Sequence, residues 1–120
     1  MSDAKATHIQ WGRLPVEELN PLLGRQIVVG DQVMVARVLL KKGCVVPLHQ
    51  HHNEQISYVE SGSMHFVVSG EEFTIGAGEF LCIPPNAPHT ATALEDTVDI
   101  DLFTPPRQDW LNKTDDYLRR

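Results

Sequence analysis

From Arg25 onward the apolar residues fall into short runs broken by Gly, Asp, Ser and Pro. Arg25–Val29 and Gln32–Leu40 are rich in Val, Ile and Leu, and Gly30-Asp31 between them reads as a turn. Val45–Leu48 follows Gly43. Gln55–Glu60 and Ser63–Val68 flank Ser61-Gly62, a hairpin signal. Glu71–Ile75 follows Ser69-Gly70, Phe80–Ile83 stops at Pro84-Pro85, and Thr90–Leu94 and Thr97–Phe103 complete the series. Many short strands at this spacing predict a single all-β sandwich or barrel. The flanks differ. Ala6–Leu23 predicts an arm with one short helical turn, opened at Pro15, carrying Glu17 and Glu18 in its first turn and ended by Pro21. After Pro105-Pro106, Asp109–Leu118 predicts a terminal helix with Trp110, Leu111 and Tyr117 available to pack. The domain bounds that follow are an arm at 1–24, a barrel at 25–104 and a tail at 105–120.

Composition narrows the function classes. The chain has 120 residues, 42% of them hydrophobic and 22% charged, enough to bury a real core. Its formal net charge of -6 and the lack of a basic stripe argue against a nucleic-acid partner. No apolar run approaches the ~20 residues that span a bilayer, and MSDAKATHIQWGRL lacks an apolar signal stretch, so a cytoplasmic protein is expected. Cys44 and Cys82 are far apart and not in a C-x-x-C arrangement. Both are read as small buried hydrophobes in a reducing compartment, with Cys82 a possible cavity residue.

The chemistry concentrates in the histidines. His49, His51 and His52 cluster, and His89 opens a later strand behind Pro88. On a strand, residues i and i+2 share a face, which groups His49 with His51, and with Gln55 if the strand runs on. Three imidazoles and one oxygen donor suit a divalent metal ion and leave room for water or substrate. His52 is read as the outward member of the cluster, and His65 as a surface or supporting residue. His8 has no assigned role, and Arg37 is left open between cavity and surface. Tyr58, Phe66, Phe80 and Trp11 are read as packing residues.

Wider spacing gives this constellation a context. The stretch Gly43-Cys-Val-Val-Pro-Leu-His49-Gln-His51-His-Asn-Glu-Gln55-Ile-Ser-Tyr-Val-Glu-Ser-Gly62 resembles the first cupin motif, and Gly78-Glu-Phe-Leu-Cys-Ile-Pro84-Pro-Asn86-Ala-Pro-His89 resembles the second. The resemblance runs from about Arg25 to Phe103. It implies a double-stranded β-helix, or jelly-roll barrel, with one divalent metal ion on His49, His51, Gln55 and His89. Zn, Ni, Mn and Fe all suit such ligands. Asn86 stands where the motif has Gly, and Asn also tolerates turn conformations. Gln55 stands where the motif has Glu. A neutral amide leaves the ion's +2 charge uncompensated, which favours Lewis-acid work over redox chemistry.

Asp99, Asp101 and Phe103 alternate on one face of the last strand. Asp99 is read as a solvated carboxylate, and Asp101, next to a core-type Phe, as a functional group. Asp101-Leu-Phe103-Thr-Pro-Pro-Arg107-Gln-Asp-Trp110 resembles the C-terminal segment of the KdgF-like pectin-degradation cupins, which use an Asp, a Phe and an Arg at this spacing and act on unsaturated uronic acids. The resemblance implies catalytic roles for Asp101, Phe103 and Arg107. Asp101 would act as general acid or base, Phe103 as an apolar wall, and Arg107 as a two-pronged clamp on a substrate carboxylate. The expected reaction hydrates a 4,5-unsaturated uronate, and the resulting hemiketal opens to the linear keto acid. Two alternatives stay open: a metal-dependent dioxygenase or lyase acting on another small acid, and a non-catalytic small-molecule-binding module. Pairing through outer strands and terminal arms predicts a homodimer.

Overall fold

The computed structural model describes residues 4–119; the first three residues of the arm and Arg120 of the tail lie outside the described residues. Ten strands form two antiparallel sheets. They are β1 Glu17–Asn20, β2 Leu23–Val29, β3 Met34–Leu40, β4 Val45–His49, β5 Glu54–Ser61, β6 Ser63–Val68, β7 Glu71–Gly76, β8 Phe80–Ile83, β9 His89–Ala93 and β10 Thr97–Thr104. The larger sheet runs β1-β2-β3-β10-β5-β8 and the smaller β4-β9-β6-β7. The expected jelly-roll architecture is therefore the observed one.

Period-2 patterning explains the burial. β3 turns Met34, Ala36, Val38 and Leu40 inward, β6 turns Met64, Phe66 and Val68 inward, and β9 turns His89, Ala91 and Ala93 inward. β10 buries Thr97, Asp99, Asp101 and Phe103 by the same alternation. The barrel interior thus carries apolar residues plus a polar row on β10 and β5. At the β5–β6 turn Gly62 has φ +97°. A Cβ there would lie 2.3 Å from Thr97 Oγ1, so the hairpin tolerates only glycine.

The flanks correct two expectations. The helical turn of the arm is a 3-10 turn at Trp11–Arg13, before Pro15, and Glu17–Asn20 is a strand paired with β2. Tertiary pairing overrides the weak local helix signal. The expected helix over Asp109–Leu118 is two pieces: α1, Gln108–Leu111, and a 3-10 turn at Asp116–Leu118. Lys113, at φ +56°, breaks the helix between them. Trp110 and Leu118 are buried, whereas Leu111 faces outward.

This terminal segment is fastened to the barrel by charge. Buried Arg25 bonds Glu17 through Nε (2.9 Å) and Asp115 through Nη1, and stacks over Trp110. Arg119 reaches Asp115 and Glu17 at 3.1 Å each, and Lys113 reaches Glu17 at 2.7 Å. Partial burial opposes ionisation of Glu17, but hydrogen bonds from Lys113, Arg119 and Arg25 prevail and hold it down at about 2.

Other expectations are redrawn by the burial pattern. Cys44 is buried, but Cys82 is exposed on the outer face and does not line the cavity. Phe80 is 61% exposed and packs on Tyr58 outside the barrel. Arg37 also points outward, donating to Gln26 at 3.0 Å. His65 pairs with Glu72 on the surface, and His8 and His52 are exposed.

Candidate metal centre

His49, His51 and His89 converge so that one nitrogen of each lies within 4.8 Å of the others. The convergence does not come from one long strand. β4 ends at His49 after a register shift between Val46 and His49, where Pro47 lacks an N–H for the ladder. His51 follows in the loop, and Gln55 belongs to β5 in the other sheet. The smaller sheet supplies His49 and His89, which face each other in register, and the larger sheet supplies Gln55.

Each ring is oriented by the main chain. His49 Nδ1 lies 2.8 Å from the Pro47 carbonyl, His51 Nδ1 3.1 Å from that of Asn53, and His89 Nδ1 2.9 Å from that of Ala87. A carbonyl only accepts, so in the neutral rings each Nδ1 carries the proton, which leaves the Nε2 lone pairs of His49 and His89 available. This is the usual support for metal-ligating imidazole. His51 Nε2 then faces another acceptor, Gln55 Oε1, an opposition of lone pairs that a cation between them would relieve. His89 is 2% exposed and its Nε2 has no hydrogen-bond partner among the described residues. An orphaned buried acceptor facing two other imidazoles fits a cation.

The rings are held neutral. Burial first, then His89, Arg107 and His51, hold His49 down at about 3. Burial, then Arg107 and His89, hold His51 down at about 4. Burial also lowers His89. Neutral imidazole is the ligating form.

Gln55 joins the centre through a line of side-chain bonds. Its Oε1 lies 3.2 Å from His51 Nε2, while its Nε2 donates to Ser57 Oγ at 2.9 Å. Ser57 Oγ donates to Asp101 Oδ1 at 2.7 Å. The amide is thereby turned with its carbonyl oxygen toward the histidines. Register explains the line: Ser57 faces Asp101, and Gln55 faces Phe103, across β5 and β10.

Asp99 corrects its expectation. It is 4% exposed and lines the cavity together with Asp101. Burial, reinforced by the Asp101 charge, pushes its carboxyl well above the ordinary carboxylate range.

Arg107 is buried over the rings of Phe103 and Trp110, at 5.1 and 4.8 Å. Its fork is occupied: Nε and Nη2 donate to Asp109 at 2.9 and 2.8 Å, and Nη2 also donates to the Tyr117 hydroxyl at 2.7 Å. The expected two-pronged clamp on a substrate is thus already closed on Asp109, and Nη1 remains. Despite burial, Asp109 and Tyr117 raise the Arg107 pKa, keeping it charged.

His49, Gln55, His89, Asp101, Phe103 and Arg107 line one cavity of about 50 Å³, room for roughly three waters. Tyr117 stacks on His49 with ring centroids 4.7 Å apart, bringing the terminal segment over the metal ligands. Sequence reasoning missed Ser57, Asn53 and the capping role of Tyr117. Ser57 was within reach, two residues beyond Gln55 on the same face. Asn53, which donates to the Pro105 and Pro106 carbonyls at 2.6 and 3.2 Å and anchors the exit turn, carries no such signal.

Comparison with known proteins agrees with this geometry. The cupin domain family matches residues 36–103. A pectin degradation protein, KdgF, from Dickeya dadantii is 35% identical over 81% of this chain and 91% of its own length. The solved structure of KdgF from Halomonas sp. superposes with a TM-score of 0.84 at 29% identity, covering 88% of this chain and 99% of that one. An RmlC-like cupin from Shewanella frigidimarina superposes with a TM-score of 0.82, also at 29% identity, over 88% of this chain and 96% of that one.

Proposed function

The chain belongs to the cupin domain family and is a relative of the KdgF proteins, and from that premise we propose that it converts a 4,5-unsaturated uronate to its linear keto acid by hydration and ring opening. The observation that carries this reading is the shared cavity. Three imidazoles with converging nitrogens, the Asp101 carboxylate and the charged Arg107 all belong to one site.

Hydration of the enol ether adds hydrogen to C4 and hydroxyl to C5. The resulting C5 hemiketal opens to the ketone. His49, His51, His89 and the Gln55 carbonyl oxygen would hold a divalent ion, which supplies Lewis-acid contact to a sugar or water oxygen. Asp101, fixed by the Ser57 hydroxyl, gives or takes the proton. Phe103 forms the apolar wall, packed against the edge of the His51 ring. Arg107 offers its charge and the Nη1 edge to the substrate carboxylate, while Asp109 and Tyr117 hold its other donors.

The cavity is far smaller than the ~300 Å³ at which ligand pockets begin. Entry of a six-carbon acid therefore requires Tyr117 and the terminal segment to swing aside, and their return would exclude water. The test is loss of ultraviolet absorbance from an unsaturated monouronate mixed with metal-loaded protein. Persistent absorbance at high enzyme concentration rejects the reading.

A homodimer through the outer face of the larger sheet is supported by Ile56 and Phe80, 37% and 61% exposed beside Tyr58. Light scattering at micromolar concentration tests it, and a monomeric mass refutes it.

A further inference from the structure

Asp99 has no part in the scheme above, yet it is buried in the cavity wall and its Oδ1 has no hydrogen-bond partner among the described residues. Its surroundings differ from those of Asp101 although both lie on the inner face of β10. Asp99 stands in register between Val38 of β3 and Val59 of β5, both buried and apolar. Asp101 stands between Ala36 and Ser57 and accepts the serine hydroxyl. The two carboxyl groups lie two residues apart on that face, both buried, and line the same cavity. Two like charges buried side by side in one wall do not both ionise readily, so the pair retains one proton. The apolar neighbours and the unpartnered Oδ1 assign that proton to Asp99, whereas Asp101 receives the serine hydroxyl.

We propose that Asp99 and Asp101 act as a one-proton carboxyl pair, in which Asp99 is a positioning residue that stores the proton Asp101 delivers to substrate. The proposal rests on the hydration reading and deepens it. Hydration needs one proton placed on C4 and one removed from the water that attacks C5. The pair passes its proton through Asp101 to C4 as the C4–H bond forms. The water O–H bond breaks as the C5–O bond forms, and the released proton returns to the pair. The pair ends as it began, so turnover requires no proton from bulk solvent in the cavity that Tyr117 lines. A lone Asp101, accepting the Ser57 hydroxyl, would have no neighbouring carboxyl from which to draw a proton.

Two measurements on Asp99→Asn test this, because the amide keeps a donor to Asp101 but has no proton to surrender. The first is infrared difference spectroscopy of the wild type against the variant at neutral pH, read in the carbonyl region of protonated carboxylic acids. A protonated-acid band in the wild type that vanishes in Asp99→Asn is expected; no such band overturns the proposal. The second is kinetics on the unsaturated monouronate. The expected result is a loss in kcat of roughly a hundredfold with KM within about twofold, and recovery in Asp99→Glu. A kcat equal to wild type in a folded Asp99→Asn protein overturns the proposal, since a purely structural role is met by the amide. If the wild type itself does not consume the uronate, the hydration reading fails, and the infrared band alone decides the carboxyl pair.

Discussion

Replacing Ser57 by alanine separates the metal ligand from the acid–base group with one small change. Ser57 is fully buried and links Gln55 Nε2 to Asp101 Oδ1 through bonds of 2.9 and 2.7 Å. Its removal leaves a buried amide donor and a buried carboxylate oxygen without partners, since Gln55 and Asp101 are only 5% and 6% exposed. An unsatisfied buried group costs ~1–3 kcal/mol, more when charged, so the two together cost about 4 kcal/mol. The hydroxyl leaves too little space to make a cavity penalty important. Urea unfolding of the metal-free protein measures this as a lower midpoint at unchanged slope. The same variant frees the Gln55 amide to rotate, and metal affinity, read by competition with a chelator, should fall by ~10–100-fold, the usual range for a lost supporting partner. A Ser57→Ala protein within about 0.5 kcal/mol of wild type and equal in metal affinity would refute the coupling of Gln55 to Asp101.

Other substitutions probe the frame and the terminal segment. Gly62→Ala, with φ +97° and a Cβ 2.3 Å from Thr97 Oγ1, should cost about 3–5 kcal/mol, whereas Gly70→Ala, equally left-handed but facing open space, should cost about 1–2 kcal/mol; thermal melts rank the pair. Asp115→Ala strips a fully buried Arg25 of one carboxylate and should destabilise by ~3 kcal/mol. It should also shift Trp110 fluorescence to the red as the segment loosens, and an unshifted spectrum would contradict the fastening. In chelator-treated protein, His49 and His51 titrate near 3 and 4 when folded, against about 6.5 unfolded. The unfolded chain binds more protons in that window, so stability is full above about pH 6.5 and declines as pH falls toward about 4. A flat melting temperature across that range would remove the neutral-imidazole assignment.

The strands of the barrel were legible because Gly and Pro mark its turns and its inner positions alternate; Ser63–Val68 and Phe80–Ile83 coincide with the structure residue for residue. The histidines were legible as a group but for a partly mistaken reason. His49 and His51 meet through the end of β4 and a loop, where strand alternation does not apply. Asp99 was misread because an aspartate in an alternating strand looks solvated until the valines on both neighbouring strands are known. Glu17 looked like helix-start chemistry, and its real partners, Arg25, Lys113 and Arg119, come from distant parts of the chain. Pairings at such separation leave no local periodicity to read.

The carbonyls of Pro47, Asn53 and Ala87 set the tautomers of the three imidazoles, and a peptide carbonyl belongs to no particular side chain. Amino-acid drift around the ligands therefore cannot easily turn a ring. The row from Gln55 through Ser57 to Asp101 enjoys no such insulation, because each of its bonds depends on a replaceable group. Descendants of this sequence would accordingly keep the cation while exploring new proton chemistry along that row.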